Sequence, residues 1–317
     1  MVTPSLKARF AEKGISLIAP ADGARVFANE ICGSPDEVEM VVGAPRRAPA
    51  PWAVVLEVRV DARNQPYLGD HRIGGRAVVP VVMAVEWMAR AAGACRPERA
   101  VVSMKDVKVL RGIKLDDYDG AGQVLYVRAK PGSNGSTNIV AVEIRSGGPD
   151  GTIHYTASAE MDDPRPAASE TRPNADLGAW TDVVYDGRVL FHGPGFQAIR
   201  SVEGIAREGI AGTLTGAKAL GWRGGFETDP AMLDGGLQLA VLWSKRVLSG
   251  ASLPMKVGAL NLYEHGLPNG QIRATVHAGQ VHESRAVCDV TFAHLDGSLV
   301  AELKGVETIL RPDETLA

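Results

Sequence analysis

Residues 80–92 read "PVVMAVEWMARAA", a run that is apolar on nearly every face of a helix. Such a helix needs burial almost all round. Its neighbours read as strands: "WAVVLEVRVD" before it, then "VSMKDVKVLRGIKL", "GQVLYVRAKP", "TNIVAVEIRS" and "GTIHYTASAEM" after it, divided by Gly, Pro and Asp signals. An antiparallel sheet curled round the helix would bury it. The same pattern returns downstream, where a helix beginning at Pro230, "PAMLDGGLQLAVLWSKRVL", lies among "FQAIRSVEGIAREG", "IAGTLTGA", "LPMKVGALNLYEHG", "GQIRATVHAGQ", "SRAVCDVTFAHLDG" and "LVAELKGVETIL". Two units in tandem, each one long helix with about five strands, give an α+β fold. The first unit is expected over residues 47–165 and the linker and second unit over residues 166–317, the proline-rich stretch "DDPRPAASETRPNADLG", residues 162–178, running across that boundary.

Upstream, residues 1–46 have a different texture. A helix is expected from Pro4 to Lys13, stopped by Gly14, then a short strand "ISLIAP", a helix "DGARVFANEI" and a strand "EVEMVVGA". "PRRAPAPW" then reads as a linker.

The 317 residues are 45% hydrophobic and 22% charged, a globular balance. A net charge of −3 supplies no basic field for nucleic acid. Only three cysteines occur, Cys32, Cys95 and Cys288, too far apart for a disulfide framework or a cysteine-rich zinc site. The start "MVTPSLKARF" has no apolar signal core, and no run reaches the roughly 20 apolar residues of a membrane span. A cytoplasmic chain without membrane contact is expected.

Two positions ask for chemistry. His71 lies on a polar loop before Gly74, Gly75 and Pro80; glycine there permits a tight turn, and Pro80 suits the first helical position. A surface histidine beside an ordinary turn is an equal reading of that loop alone. Asp234 interrupts the apolar face of the second helix, with Gln238 four residues on along the same face. A buried carboxylate is costly unless it is paired or protonated. A base-capable histidine in one unit and an acid-capable aspartate in the other suggest a composite site between them.

Three motifs then carry a resemblance. His71-x3-Gly75-x4-Pro80 resembles the HxxxGxxxxP motif of dehydratase domains in polyketide and fatty acid synthases, Asp234-x3-Gln238 their DxxxQ/H motif, and "FHGPGFQAI" their GPxF segment. The resemblance runs from about Trp52 to Leu310 and implies a double hotdog, each half a sheet wrapped round one helix. The segment after Pro80 is most similar to polyunsaturated fatty acid synthases; Val81 stands where typical polyketide dehydratases carry glycine. Residues 1–46 resemble the tail of a ketoreductase domain, without its glycine-rich loop or Tyr/Lys pair.

The resemblance implies elimination of water from a 3-hydroxyacyl thioester on the phosphopantetheine arm of an acyl carrier protein, with no further cofactor. Neutral His71 would take the C2 proton and a protonated Asp234 would donate to the departing hydroxyl. The N–H near Gly75 would hold the thioester oxygen. Gln238 would orient Asp234 or the leaving water, and His192, Gly193, Pro194 and Phe196 would line the pocket. Carrier protein, sister domains and a second copy of the chain are the implied partners. His154 reads as structural, Asp70 as a cap of its own loop, Tyr67 and Leu68 as packing, and Arg188 and Arg200 as surface. His265, His277, His282 and His294 lack ligand spacing, so no metal is expected. The rivals are an inactive double-hotdog scaffold or carrier-protein dock, a hotdog thioesterase and a nicotinamide-dependent reductase.

Overall fold

The apolar run at residues 80–92 forms the core of a helix, Val81–Cys95, with ten buried residues from Val82 to Ala92. Pro80 sits one position earlier than expected. It is the N-cap, in extended backbone with φ −69° and ψ 151°, and its carbonyl accepts from the N–H groups of Met83 and Ala84. The computed structural model describes residues 3–12, 17–31, 51–132, 138–166, 168–169 and 176–311.

Near the amino terminus, α1 (Pro4–Glu12) and α2 (Pro20–Ile31) are helical. The described residues of the expected strand "ISLIAP", Leu17 to Ala19, have no regular structure. Pro20 instead opens α2, its fixed φ suiting the first helical position. The expected strand "EVEMVVGA", most of the first linker, Gly14 and Cys32 lie outside the described residues.

From Trp52 onward the chain builds β1 (Ala53–Val60), β2 (Arg72–Ile73), β3 (Arg76–Val78), α3 (Val81–Cys95), β4 (Ala100–Val109), β5 (Lys114–Leu115), β6 (Gln123–Pro131), β7 (Ile139–Ser146) and β8 (Thr152–Asp162). The second half adds β9 (Ile199–Ala206), β10 (Gly209–Leu214), α4 (Pro230–Leu248), β11 (Ser252–Leu262), β12 (Ile272–Val281), β13 (Arg285–His294) and β14 (Leu299–Leu310). This is a double hotdog. Strands β1, β6, β7, β8 and β4 wrap α3, and β11, β14, β13, β12, β10 and β9 wrap α4.

The halves are not merely side by side. Antiparallel pairing of β4 with β11, Val107 opposite Val257 and Met104 opposite Leu260, fuses them into one 11-stranded sheet. Along this seam the Ser103 hydroxyl donates to Asn261 Oδ1 at 3.1 Å.

The run "VSMKDVKVLRGIKL" is two elements rather than one strand. Its end, β5, joins a separate three-stranded sheet with β2 and β3. Leu110 and Arg111 both donate their N–H to the His154 carbonyl, which ends the ladder. Pro194–Phe196 is a 3-10 turn, so the strand expected from Phe196 begins at Ile199.

Burial sorts the remaining side chains. Glu86 on α3 is wholly buried. Its carboxylate accepts from the N–H groups of Glu227 and Thr228 and from the Thr228 hydroxyl, joining α3 to the segment that enters α4. Burial pushes its pKa up despite those bonds. Among the described residues no helix is long and apolar enough to cross a membrane.

Candidate active site

His71 follows the 3-10 turn Pro66–Asp70 as its C-cap, its N–H bonded to the Leu68 carbonyl. Extended pairing then runs from His71 into the β2–β3 hairpin, where the Val78 N–H returns to the His71 carbonyl at 3.0 Å. This register sets the ring beside Val78, whose carbonyl lies 2.8 Å from Nδ1. A carbonyl only accepts, so Nδ1 carries the hydrogen and Nε2 holds the free lone pair. The ring is enclosed by Phe191, His192 and Phe196, with centroids 5.1, 5.3 and 5.2 Å away. Burial, then the neighbouring His192, push its pKa down to about 4, against an opposing pull from Asp234. His71 is therefore neutral at physiological pH.

Asp234 enters from α4, which starts at an Asp229 N-cap accepting from the Met232 N–H. Its Oδ2 accepts from Gln238 Nε2 at 2.7 Å and lies 3.4 Å from His192 Nε2. Gln238 is pinned in turn, donating to the Phe196 carbonyl and accepting from the Tyr185 hydroxyl, both at 2.8 Å. Tyr185 is itself fixed by the Ile199 N–H. The expectation of a protonated Asp234 fails here. Burial pushes its pKa up, but the His192 hydrogen bond, the two histidines and the Gln238 amide outweigh it and hold it below the usual value. The carboxylate is ionised, with Gln238 and His192 as its polar neighbours.

The segment carrying His192 is tied across the molecule by Asp70. The Asp70 carbonyl accepts from the Gly193 N–H at 2.8 Å, and its carboxylate accepts from the Gly195 N–H at 2.7 Å. Asp70 is thus a clasp between the halves and not a cap of its own loop. A side chain at Gly193 or Gly195 would collide with that carboxylate. Trp222 Nε1 donates to the Gly195 carbonyl at 2.8 Å, and Tyr67 stacks on Trp222 with ring centroids 3.8 Å apart. Pro194 and Phe196 form the turn itself, and the Phe196 ring packs edge-on to Trp222.

The structure brings together His71, His192, Phe196, Asp234 and Gln238, with Gly193 behind them. It does not bring Gly75. Pairing of Ile73 with Arg76 makes Gly74–Gly75 a two-residue turn, with φ of +56° and +76°, at an exposed hairpin tip. Its positive φ is what glycine supplies to this turn. His154 bonds Ser146 Oγ and the Arg111 carbonyl within the sheet of the first half. Arg188 and Arg200 are exposed.

Sequence reasoning passed over Glu86, Tyr185 and Trp222, and misjudged Asp70. Glu86 carried the signal that exposed Asp234, a carboxylate in an apolar helix. Tyr185 and Trp222 lie in irregular segments where no periodicity marks them.

A family model described as "Polyketide synthase dehydratase N-terminal domain" matches residues 159–315, and one described as "Polyketide synthase dehydratase domain" matches residues 41–146. A polyunsaturated fatty acid synthase from Thraustochytrium sp. is 27% identical over 275 residues, 81% of this chain and 10% of that protein. Polyketide synthase GfsE of Streptomyces halstedii is 26% identical over 263 residues, 80% of this chain and 7% of that protein. The chain thus spans a tenth or less of these relatives. The dehydratase domain from the CurF module of the curacin polyketide synthase superposes with a TM-score of 0.67 at 16% identity, covering 86% of this chain and 97% of that one.

Proposed function

Because the chain belongs to the dehydratase-domain family of polyketide synthases, we propose that it removes water from a 3-hydroxyacyl thioester carried on an acyl carrier protein, leaving the 2-enoyl thioester. The observation that carries this reading is the meeting of a neutral His71 with a His192–Asp234 pair in one buried site. His71 Nε2 accepts the C2 proton as the C2–H electrons form the new double bond and the C3–O bond breaks. The departing hydroxide needs a proton at the same moment. His192 Nε2–H, charge-stabilised by the ionised Asp234, supplies it, and water leaves. His71 and His192 then differ by one proton, and its return across the 5.3 Å between their rings resets the site. Gln238 keeps the carboxylate aimed at His192. Each positioned acid or base contributes about 10²–10⁴-fold.

The same reading makes the chain one domain of a multidomain synthase in the cytoplasm, working with the carrier protein, sister domains and a second copy of itself. Residues 1–46 are then the tail of a preceding ketoreductase-like domain. The exposure of Leu17, Ile18 and Phe27 supports a surface that another domain would cover.

The test is mass spectrometry of a carrier-bound 3-hydroxyacyl thioester. The native chain is expected to remove one water. His71→Ala and Asp234→Ala are expected to abolish that loss, and His192→Phe to slow it by about 10²-fold or more. An unchanged substrate with folded native protein would overturn the reading in favour of a scaffold. Release of free thiol would replace it with thioester hydrolysis.

A further inference from the structure

Two imidazoles and a carboxylate form the one cluster among the described residues in which three side chains could share a metal ion: His71, His192 and Asp234, each offering an atom within 4.8 Å of the others. We infer that this cluster binds a divalent ion of the zinc class and that the bound ion blocks the site. Nitrogen–nitrogen–oxygen donor sets suit Zn²⁺ or Co²⁺, whereas Mg²⁺ and Ca²⁺ take oxygen. Bonds of about 2.0–2.1 Å on a tetrahedral ion hold neighbouring ligand atoms about 3.3 Å apart. His192 Nε2 and Asp234 Oδ2 already stand 3.4 Å apart, long for a charge-assisted hydrogen bond and close to that ligand spacing.

Two of the three side chains, His71 and Asp234, carry the orienting bonds of a metal ligand. His71 gives its Nδ1 hydrogen to the Val78 carbonyl at 2.8 Å and so presents Nε2 as a ligand. Asp234 has its Oδ2 steadied by the Gln238 amide at 2.7 Å. The His192 side chain is only 8% exposed, and its buried Nδ1 has no hydrogen-bond partner. The ring stacks on Phe191 with centroids 4.5 Å apart, and no hydrogen bond at Nδ1 opposes a small shift of Nε2 toward His71. Three protein ligands leave a fourth position for water. An ion there takes the His71 lone pair that the proposed elimination needs, which makes it an inhibitor of the chain and not its cofactor.

The blocking half of this inference rests on the dehydratase reading, whereas binding is measured with metal alone and is answered whether or not the chain dehydrates. Titration of the intact chain with Co²⁺ is expected to give a visible band that saturates near one equivalent and disappears when Zn²⁺ is added. His71→Gln and His192→Gln are each expected to weaken it by at least tenfold, and Gln238→Met by about 10- to 100-fold through the loosened carboxylate. His282→Ala, on an exposed histidine, is expected to leave it intact. Imidazole resonances of the unmutated chain give a second readout that needs no variant: Zn²⁺ should shift those of His71 and His192 but not that of His282. Absence of the band, its survival in both glutamine variants, or shifts confined to other histidines would overturn the site. Where turnover is present, one equivalent of Zn²⁺ should suppress it and a chelator restore it; undiminished turnover with the ion bound would overturn the blocking role.

Discussion

His71 is one hydrogen bond away from being the wrong tautomer. Were Nδ1 free of the Val78 carbonyl, the lone pair could face the sheet instead of the pocket. The same enclosure sets its working range. With burial and His192 lowering its pKa from 6.5 to about 4, the base is neutral, and competent, at any pH above that value. We expect kcat/KM to stay level as pH falls through 6.5 and to decline only toward about 4; a midpoint near 6.5 in the pH–rate profile would contradict this. Folding responds over the same interval. The unfolded chain binds the proton at higher pH than the native one, so this group withdraws stability progressively from about 6.5 down to 4, and the profile is read alongside a melting curve. At this scale the sequence was partly legible. His71 and Asp234 stood out because a polar group in apolar company needs a reason, whereas the His192–Asp234 pairing depends on a long-range approach that no local spacing encodes.

At the scale of the element, α4 shows why two glycines sit in a long helix. The helix runs unbroken through them from Pro230 to Leu248. A methyl on Gly235 would stand 2.9 Å from the Ala198 methyl, and one on Gly236 would fall inside the Phe292 ring and 3.2 Å from Val290. The pair lets α4 lie close on its sheet, one turn from Asp234 to Gln238. Gly236→Ala gains up to about 1 kcal/mol of helix propensity, but overpacking a buried site costs about 1–3 kcal/mol. We expect a net loss near 1 kcal/mol, read as a Tm lower by about 2–4 °C for a unit of this size; an unchanged or raised Tm would show that Phe292 yields freely. Periodicity located both central helices and most strands, because an all-apolar run has few places to go. It missed the division between β4 and β5 and the turn at Pro194, where the N–H pairing of a few residues decides and hydrophobic pattern is silent.

For the molecule as a whole, the decisive contact is the seam between β4 and β11. Tandem repetition of one helix with several strands was readable along the chain, but the fusion of both sheets was not, since nothing in either strand marks it as the one that faces the other half. The seam buries Val107 and Val257 against the two cores, and Glu86 and Asp70 add bonds on either side of the site. Neither half should then melt without the other. Calorimetry of the intact chain is expected to show a single transition for the unit from Trp52 onward, and two resolved transitions would contradict it. The seam also has a history within the ribosome's timetable. In sequence, 158 residues separate Ser103 from its partner Asn261, so at about 5–20 residues per second the nascent first half waits on the order of ten seconds for β11. For that time β4 is an open strand edge, and the means of guarding it are written into it: Lys105, Asp106 and Lys108 point outward, and a left-handed Asp106, φ 52°, breaks its flatness. What finally becomes an internal join thus carries the charges and the kink that guard a free sheet border.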